Sequence, residues 1–359
     1  MWMIIFLLLP ILALGYVGWH IWTLVPLPAA FRTVLLILLG GSFLLLFCNL
    51  SRAIDGMPLW LARIVYDVGN SSIFVLLYLT IIFLLLDLGR IIQLVPRELL
   101  HHSFYTTAAI VVILAAVFLY GNIHYHHKKR IPLTLQSNKP LAHPLKLVMM
   151  SDLHLGYHNQ RRELSRWVDM INSERPDMVL IAGDIIDMSM RPLIDENMAE
   201  EIQRIEAPVY ACLGNHEYYT GEPKAQKFYR DAHIHLLRDT SIVVGDVCLL
   251  ARDDRSNHHR LPLSQIAKKA DHSKYTILLD HQPYHLEQTE KEGIDFQLSG
   301  HTHEGQVWPI SWITHALYEC AFGEYQRGKT HYYISSGMGI WGGKFRIGTH
   351  SEYVVATLQ

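Results

Sequence analysis

Over its first third the chain is apolar in four long stretches, roughly Trp2 to Val25, Phe31 to Leu50, Ile73 to Val95 and Phe104 to Tyr120. Charged residues sit at their ends, as Arg52, Asp55 and Arg63 do between the second and third. Each stretch approaches the roughly 20 residues that a helix needs to cross a hydrocarbon core. In lipid a separate segment must satisfy its own backbone, which leaves helix as its state. No amphipathic face can be drawn on Ile73 to Leu86, which argues against buried helices of a soluble fold. The first stretch lacks a basic n-region and is too long for a secretory leader, so it reads as a retained span. The pattern predicts a transmembrane region of about four helices in residues 1–124.

From about Leu145 the period changes. Short apolar runs at Leu145 to Met150, Met178 to Ala182, Val209 to Leu213, Thr276 to Leu279 and Phe296 to Leu298 read as buried strands. Helix-like segments, including Arg161 to Asn172 and Asp195 to Ile205, lie between them. This alternation predicts an α/β domain over residues 145–359. Tyr125 to Pro144, with three prolines, reads as a linker (residues 125–144) or as a leading strand.

Composition narrows the function. With 31 Lys and Arg against 33 Asp and Glu there is no field of the kind that holds nucleic acid, so no nucleic-acid partner is expected. The four cysteines, Cys48, Cys212, Cys248 and Cys320, have no Cys-x-x-Cys spacing and imply neither a disulfide framework nor a thiolate zinc site. Histidine is abundant, at 22 residues, and this directs attention to imidazole as a metal ligand. Four spans put both termini on one side of the membrane. Lys128, Lys129 and Arg130 after the last span, with Arg52 and Arg63, outnumber Arg32, Arg90 and Arg97 in the opposite loops, which leans the domain towards the cytoplasm.

Five predicted strands run into metal-binding residue types. The first leads into Asp152-x-His154, the second into Gly183-Asp184-x-x-Asp187, and the third into Gly214-Asn215-His216-Glu217. The remaining two lead into Asp280-His281 and Gly300-His301-x-His303. Strand ends at one sheet edge gather side chains from distant parts of a sequence. Gly183, Gly214 and Gly300 precede the donors where the backbone must turn tightly or approach closely. Asp152, His154, Asp184, Asn215, His281, His301 and His303 supply carboxylate, carboxamide and imidazole without thiolate, a set suited to Mn, Zn or Fe. Seven donors exceed what one tetrahedral ion takes but suit two ions sharing a carboxylate.

This series resembles the calcineurin-like metallophosphoesterase superfamily over roughly Leu145 to Gln359. Ala251 to Asn257, Ser335 to Gly339 and Phe345 to Gly348 resemble its bacterial membrane-anchored phosphodiesterase branch. The resemblance implies a four-layer α-β-β-α sandwich. It implies one ion held by Asp152, His154, Asp184 and His303, and a second held by Asp184, Asn215, His281 and His301, with Asp184 as the bridge. His216 would be a catalytic histidine near the leaving group, oriented by Asp187. The branch commonly has Gly-His-Thr-His-Gly-Gly-Gln, whereas here Glu304 replaces the first of the two glycines.

The expected activity is hydrolysis of a phosphodiester or pyrophosphate bond, with lipid-linked and envelope substrates included because similar branches cleave UDP-2,3-diacylglucosamine. The membrane lipids are the expected partners, and the bacterial inner membrane the expected location. A phosphomonoesterase or phosphoprotein phosphatase would need the same metal shell. A catalytically silent scaffold would be expected to have a broken donor set, and this one is complete. Arg252, Arg255 and Arg346 are candidates for contacting a substrate phosphate or for ordinary ion pairs. Trp308, Trp312 and Trp341 read as core residues or as an apolar rim. Asp280 reads as a partner of the ligands or as a strand cap.

Overall fold

The computed structural model describes the backbone of residues 2–359 and the side chains from Leu8 onward. It divides into a helical unit, which ends at Asn122 and includes Gly342–Lys344, and an α/β unit made of the remaining residues.

The helical unit is built on α1 (Trp2–Leu24), α2 (Ala29–Leu50), α3 (Leu59–Ile91) and α4 (Phe104–His126). Among the described residues α2, α3 and α4 are long and apolar enough to cross a membrane, and α1 contributes the shorter apolar stretch Leu8–Leu24. The remainder of the first expected span lies outside the described side chains. Val17, Phe43, Leu46, Leu79 and Phe83 form the centre of the apolar packing between helices.

Helix α3 begins well before Ile73, and Arg63 lies on it rather than in a loop. Its 33 residues make it roughly 50 Å long, more than a hydrocarbon core about 30 Å thick. Two of the polar residues that obscure its first half in the sequence bond within the helix. Asn70 donates to the Tyr66 carbonyl at 3.0 Å and Ser72 to that of Gly69 at 2.6 Å. Near the ends of α1 and α3, Tyr16 and His20 both meet the Asp87 carboxylate, at 2.6 and 3.1 Å.

The α/β unit opens with β1 (Lys128–Leu135), β2 (Leu145–Met150), α5 (Arg161–Ser173) and β3 (Met178–Ala182). Then come α6 (Arg191–Asp195), α7 (Met198–Ile202), β4 (Val209–Cys212), α8 (Asn215–Thr220), α9 (Glu222–Asp231) and β5 (His235–Leu236). The second half contains β6 (Thr240–Val244), β7 (Val247–Ala251), α10 (Leu263–Ala267), β8 (Tyr275–Leu279), α11 (Leu286–Lys291) and β9 (Phe296–Ser299). It closes with α12 (Ile310–Leu317), β10 (Gly323–Arg327), β11 (Thr330–Ile334) and β12 (Ser351–Leu358). The stretch read as a linker or leading strand thus contains an edge strand, β1, paired in parallel with β12 along its whole length. Of the helix expected over Asp195 to Ile205 only the part Met198–Ile202 forms, as α7; Asn197, in a left-handed conformation with φ 51°, separates it from α6, which ends at Asp195.

Among the described residues the strands form two six-stranded mixed sheets, ordered β1-β12-β2-β3-β4-β5 and β10-β11-β9-β8-β7-β6. Side chains alternate across each strand and so build three cores. Leu147, Met149 and Leu180 of the first sheet meet Leu249, Ile277 and Leu298 of the second between the sheets. On the outer side of the first sheet, Val148, Met150 and Ile181 pack under Trp167 of α5 and Phe228 of α9. On the outer side of the second, Cys248, Leu250 and Leu278 pack against Leu263 and Ile266 of α10. The result is the four-layer α-β-β-α sandwich.

Candidate metal centre

The parallel strands β2, β3 and β4 of one sheet and β8 and β9 of the other end beside one another, and their following loops carry the seven donors. Asp152, His154 and His303 form one group of candidate ligand atoms, and Asp184, His281 and His301 a second, each with its atoms within 4.8 Å of one another. His154 Nε2 lies 3.1 Å from His303 Nε2 and 3.7 Å from Asp152 Oδ1. Two nitrogens bound tetrahedrally at 2.0–2.1 Å from one zinc ion stand roughly 3.4 Å apart, so the spacing suits ligands of one ion. Asp184 Oδ2 lies 3.1 Å from His281 Nε2 and 3.8 Å from His154 Nε2, between the two groups. Asn215 Oδ1 joins the second group 3.2 Å from His281 Nε2. A divalent ion fits this donor set: carboxylate oxygens and imidazole nitrogens crowd together away from water, where like atoms repel unless a cation stands among them.

The backbone is bent to deliver these atoms. Asp152, His154, Asp184, His301 and His303 all have positive φ, between 44° and 70°. Each such residue costs about 1 kcal/mol, and strain of this kind gathers at functional sites. Backbone hydrogen bonds hold it in place. Asp152 N–H donates to Gly183 O at 3.1 Å and His154 N–H to Asp184 O at 3.0 Å, tying the first two ligand loops together. Gly183 itself has φ 78°, while a Cβ on Gly214 or Gly300 would collide with the carboxylates of Asp184 or Asp152. The glycines therefore do what their positions in the sequence suggest. Glu304, standing where the related pattern has glycine, has φ 53° and ψ 27°, the conformation glycine adopts most readily.

Neighbours fix which nitrogen each ring presents. His281 Nδ1 contacts the Ala182 carbonyl at 2.7 Å, leaving Nε2 for the centre. Asp187 Oδ1 lies 3.3 Å from His154 Nδ1 and 3.4 Å from His216 Nδ1, so one carboxylate orients both rings. The pairing of Asp187 with His216 follows the resemblance; its second partner, His154, was not anticipated. Three more residues support the loops without offering ligand atoms. Buried Glu217 accepts the N–H groups of Asp184, Ile186 and Gly214 at 3.1, 3.0 and 2.7 Å. Ser151 donates to Asp152. Arg346 is fully buried and donates to the carbonyls of His303 and Ser336 at 2.6 and 2.5 Å. Arg346 is therefore a brace for the His303 loop and not exposed to a substrate. Arg252 pairs with Asp280 at 3.1 Å beneath the surface, which makes Asp280 an ion-pair partner beside His281. Arg255 alone of the three arginines is not buried, and it stacks 4.2 Å over Tyr284. Tyr284 bonds Tyr318 at 2.9 Å, and Tyr318 stands beside His301.

Burial raises the cost of every charge here, and the partners decide the outcome. Burial presses the Asp184 carboxyl upward, but His281 and His216 outweigh it and hold it well below the usual range. His154 is likewise opposed by burial and lifted by Asp152 and Asp187, to about 10. Burial dominates at His301 and His303, lowering them to about 4 and about 3, so both are neutral lone-pair donors near pH 7.

Residues 145–305 match the family described as calcineurin-like phosphoesterase. An uncharacterized metallophosphoesterase of Campylobacter jejuni is 32% identical over 227 residues, which covers 61% of this chain and 60% of that protein. One from Aquifex aeolicus is 29% identical over 63% of this chain and 90% of its own. A Danio rerio protein named as a transmembrane protein with a metallophosphoesterase domain is 26% identical over 90% of this chain and 78% of its own. Long apolar helices, together with relatives named as transmembrane proteins, make this a membrane protein.

Proposed function

We propose that the α/β unit of this chain is a calcineurin-like metallophosphoesterase domain and that the protein is a membrane-anchored hydrolase of phosphodiester or pyrophosphate bonds, working with two divalent metal ions. The observation that carries this is the meeting of two groups of ligand atoms on either side of Asp184 Oδ2. Asp152, His154 and His303 would hold one ion, Asn215, His281 and His301 the other, with Asp184 shared. Mn, Zn and Fe suit such donors. Bound there, two cations supply neutralisation of phosphoryl charge and a lowered pKa for attacking water.

The chain's own groups do the rest. His216 is held at Nδ1, 3.2 Å from the Asp187 carbonyl and 3.4 Å from its carboxylate, which leaves the other ring nitrogen to carry a proton to the leaving oxygen. Asp187 is a positioning residue for that ring. Arg255 with Tyr284 provides a cationic and aromatic edge near His301 for the remainder of the substrate. We assign the protein to a bacterial inner membrane with the domain on the cytoplasmic side, supported by Lys128, Lys129 and Arg130 directly after α4. A reporter active only outside the cytoplasm, fused at Gln359, overturns that side if it is active.

The test is made on the full chain in lipid nanodiscs, stripped of metal and reloaded with Mn, Zn or Fe. Bound metal is counted, and aryl phosphodiester and aryl phosphomonoester hydrolysis are measured beside Asp184→Asn and His216→Ala. Diester hydrolysis that needs metal and is lost in Asp184→Asn supports the proposal. Preference for the monoester replaces it with a phosphomonoesterase, and a folded protein that takes up no metal sinks it.

A further inference from the structure

Helix α12 is turned inside out. Its inward positions are Ser311 and Thr314, both 8% exposed, while Trp312, Ile313 and Leu317 are 66%, 58% and 71% exposed. Trp308 just before it is 38% exposed and packs edge-on against Trp312, with ring centroids 5.4 Å apart. A helix on a water-facing surface carries the opposite arrangement, with its apolar stripe on the core. From Lys128 onward only four other large apolar or aromatic side chains are exposed among the described residues, and they are scattered. Clustering of this kind marks an interaction surface.

Three features say what covers it. The segment 308–317 contains no Asp, Glu, Lys or Arg, so it offers no charged rim of the sort that a water-soluble partner meets. Trp19, Trp22 and Trp60, the other exposed tryptophans among the described residues, all lie within five residues of an end of α1 or α3, where tryptophan sits at a membrane–water interface. Finally, α4 ends at His126 and β1 starts at Lys128, so the domain is attached to the end of a span without a spacer.

The helix is also wired to the metal centre. A Cβ added to Gly305, in the turn that carries His303, would stand 2.6 Å from Ser311 N at the start of α12, so the two backbones approach closely. At its other end comes Tyr318, whose ring stands 6.5 Å from that of His301. Both histidine ligands of the last loop are thus tied to the two ends of the apolar helix.

We propose that α12 and Trp308 are a bilayer-docking element that inserts into the lipid headgroup boundary and so presents the metal centre to phosphoesters in lipid headgroups. The docking stands on exposure and composition; the substrate class rests on the phosphoesterase reading above. Short apolar helices bind at this boundary by burying such a face while the polar side stays with the protein.

The test uses the full chain carrying Cys48→Ser, since Cys212, Cys248 and Cys320 are buried. An environment-sensitive fluorophore is attached at Trp312→Cys, at Leu317→Cys in a second protein, and at the exposed control Lys227→Cys in a third. Each is reconstituted into vesicles of phosphatidylethanolamine and phosphatidylglycerol with and without a headgroup-region nitroxide lipid. Docking predicts blue-shifted emission and loss of intensity to the nitroxide at 312 and 317 but not at 227. Emission at 312 and 317 that matches 227 overturns the proposal. So does blue-shifted emission untouched by the lipid quencher that rises with protein density, which would make the helix a contact between two copies of the chain. Aryl phosphodiester hydrolysis on the same samples reports the fate of the phosphoesterase reading separately.

Discussion

The two sheets bring different chemistry to the place where they meet. Loops after β2, β3 and β4 supply every oxygen donor, from Asp152, Asp184 and Asn215, together with His154. Loops after β8 and β9 supply imidazole alone, from His281, His301 and His303. Their braces differ in sign as well. Glu217 gathers three backbone N–H groups behind the oxygen side, and Arg346 gathers carbonyls behind the imidazole side. On the proposed reading the oxygen side carries the negative charge that attracts a divalent ion, and imidazole donors bias such a site towards transition metals over magnesium or calcium. On that reading affinity and metal choice are lodged in different sheets.

Removing the shared oxygen is the severest way to break this division. Asp184→Asn keeps the shape but removes the charge between both groups, so hydrolysis is expected to fall to background and bound metal to drop below two ions per chain. His301→Ala takes one nitrogen from one group only. It should retain one ion per chain and lose most but not all hydrolysis, with the metal preference moving away from zinc. If both variants lose both ions equally, the sheets do not divide the work.

The braces come next. Replacing Arg346 by Met leaves buried carbonyls of the His303 loop without donors, at an expected cost of about 3 kcal/mol. This is read as a lowered Tm of the metal-free protein. Glu217→Gln is milder on the oxygen side, because the amide retains one acceptor oxygen for three N–H groups. A loss of about 1–2 kcal/mol is expected, with metal affinity weakened roughly 10- to 100-fold as for partners behind metal ligands. A Glu217 variant that lowers Tm more than the Arg346 variant reverses this order.

The same contrast explains what could be read from the sequence. The seven candidate donors are legible in the sequence because each follows an apolar run and a small or polar turn residue, a local signal that survives without knowledge of the partners. The braces were not. Glu217 stood within a recognised motif without a role, since a carboxylate pointing backwards at N–H groups looks like any other carboxylate. Arg346 reads as a substrate contact or an ion pair because sequence does not record burial. Strands β10 and β12 escaped notice for opposite reasons: Gly-Glu-Tyr-Gln-Arg has little apolar pattern, and Ser351–Leu358 is buried almost throughout and shows no alternation. Residue type leaves core packing or an apolar rim open for Trp308 and Trp312, and the exposure of Trp308 just before α12 and of Trp312 on it excludes the core. Direction around a short helix is set by the domain it lies on, which periodicity over eight residues does not specify.

Away from the centre the first sheet also carries an ordinary ion pair, which sets the small end of the scale. Arg130 of β1 meets the Glu174 carboxylate just after α5 at 2.7 and 3.0 Å. The Arg130 hydrogen bonds hold the Glu174 carboxyl below its usual range, against a weaker upward push from burial. A carboxyl with a lower pKa folded than unfolded stabilises the fold above its unfolded value, and that contribution is lost as pH falls through the folded one. The Arg130 side chain is 45% exposed, so solvent screening limits the pair to at most about 1 kcal/mol. Arg130→Gln should therefore lower Tm slightly at pH 7, by an amount that vanishes once Glu174 is protonated in wild type too. It should leave metal content and hydrolysis unchanged. A larger effect on either would mean that the edge strand is coupled to the oxygen side of the centre, and the division between the sheets would have to extend to β1.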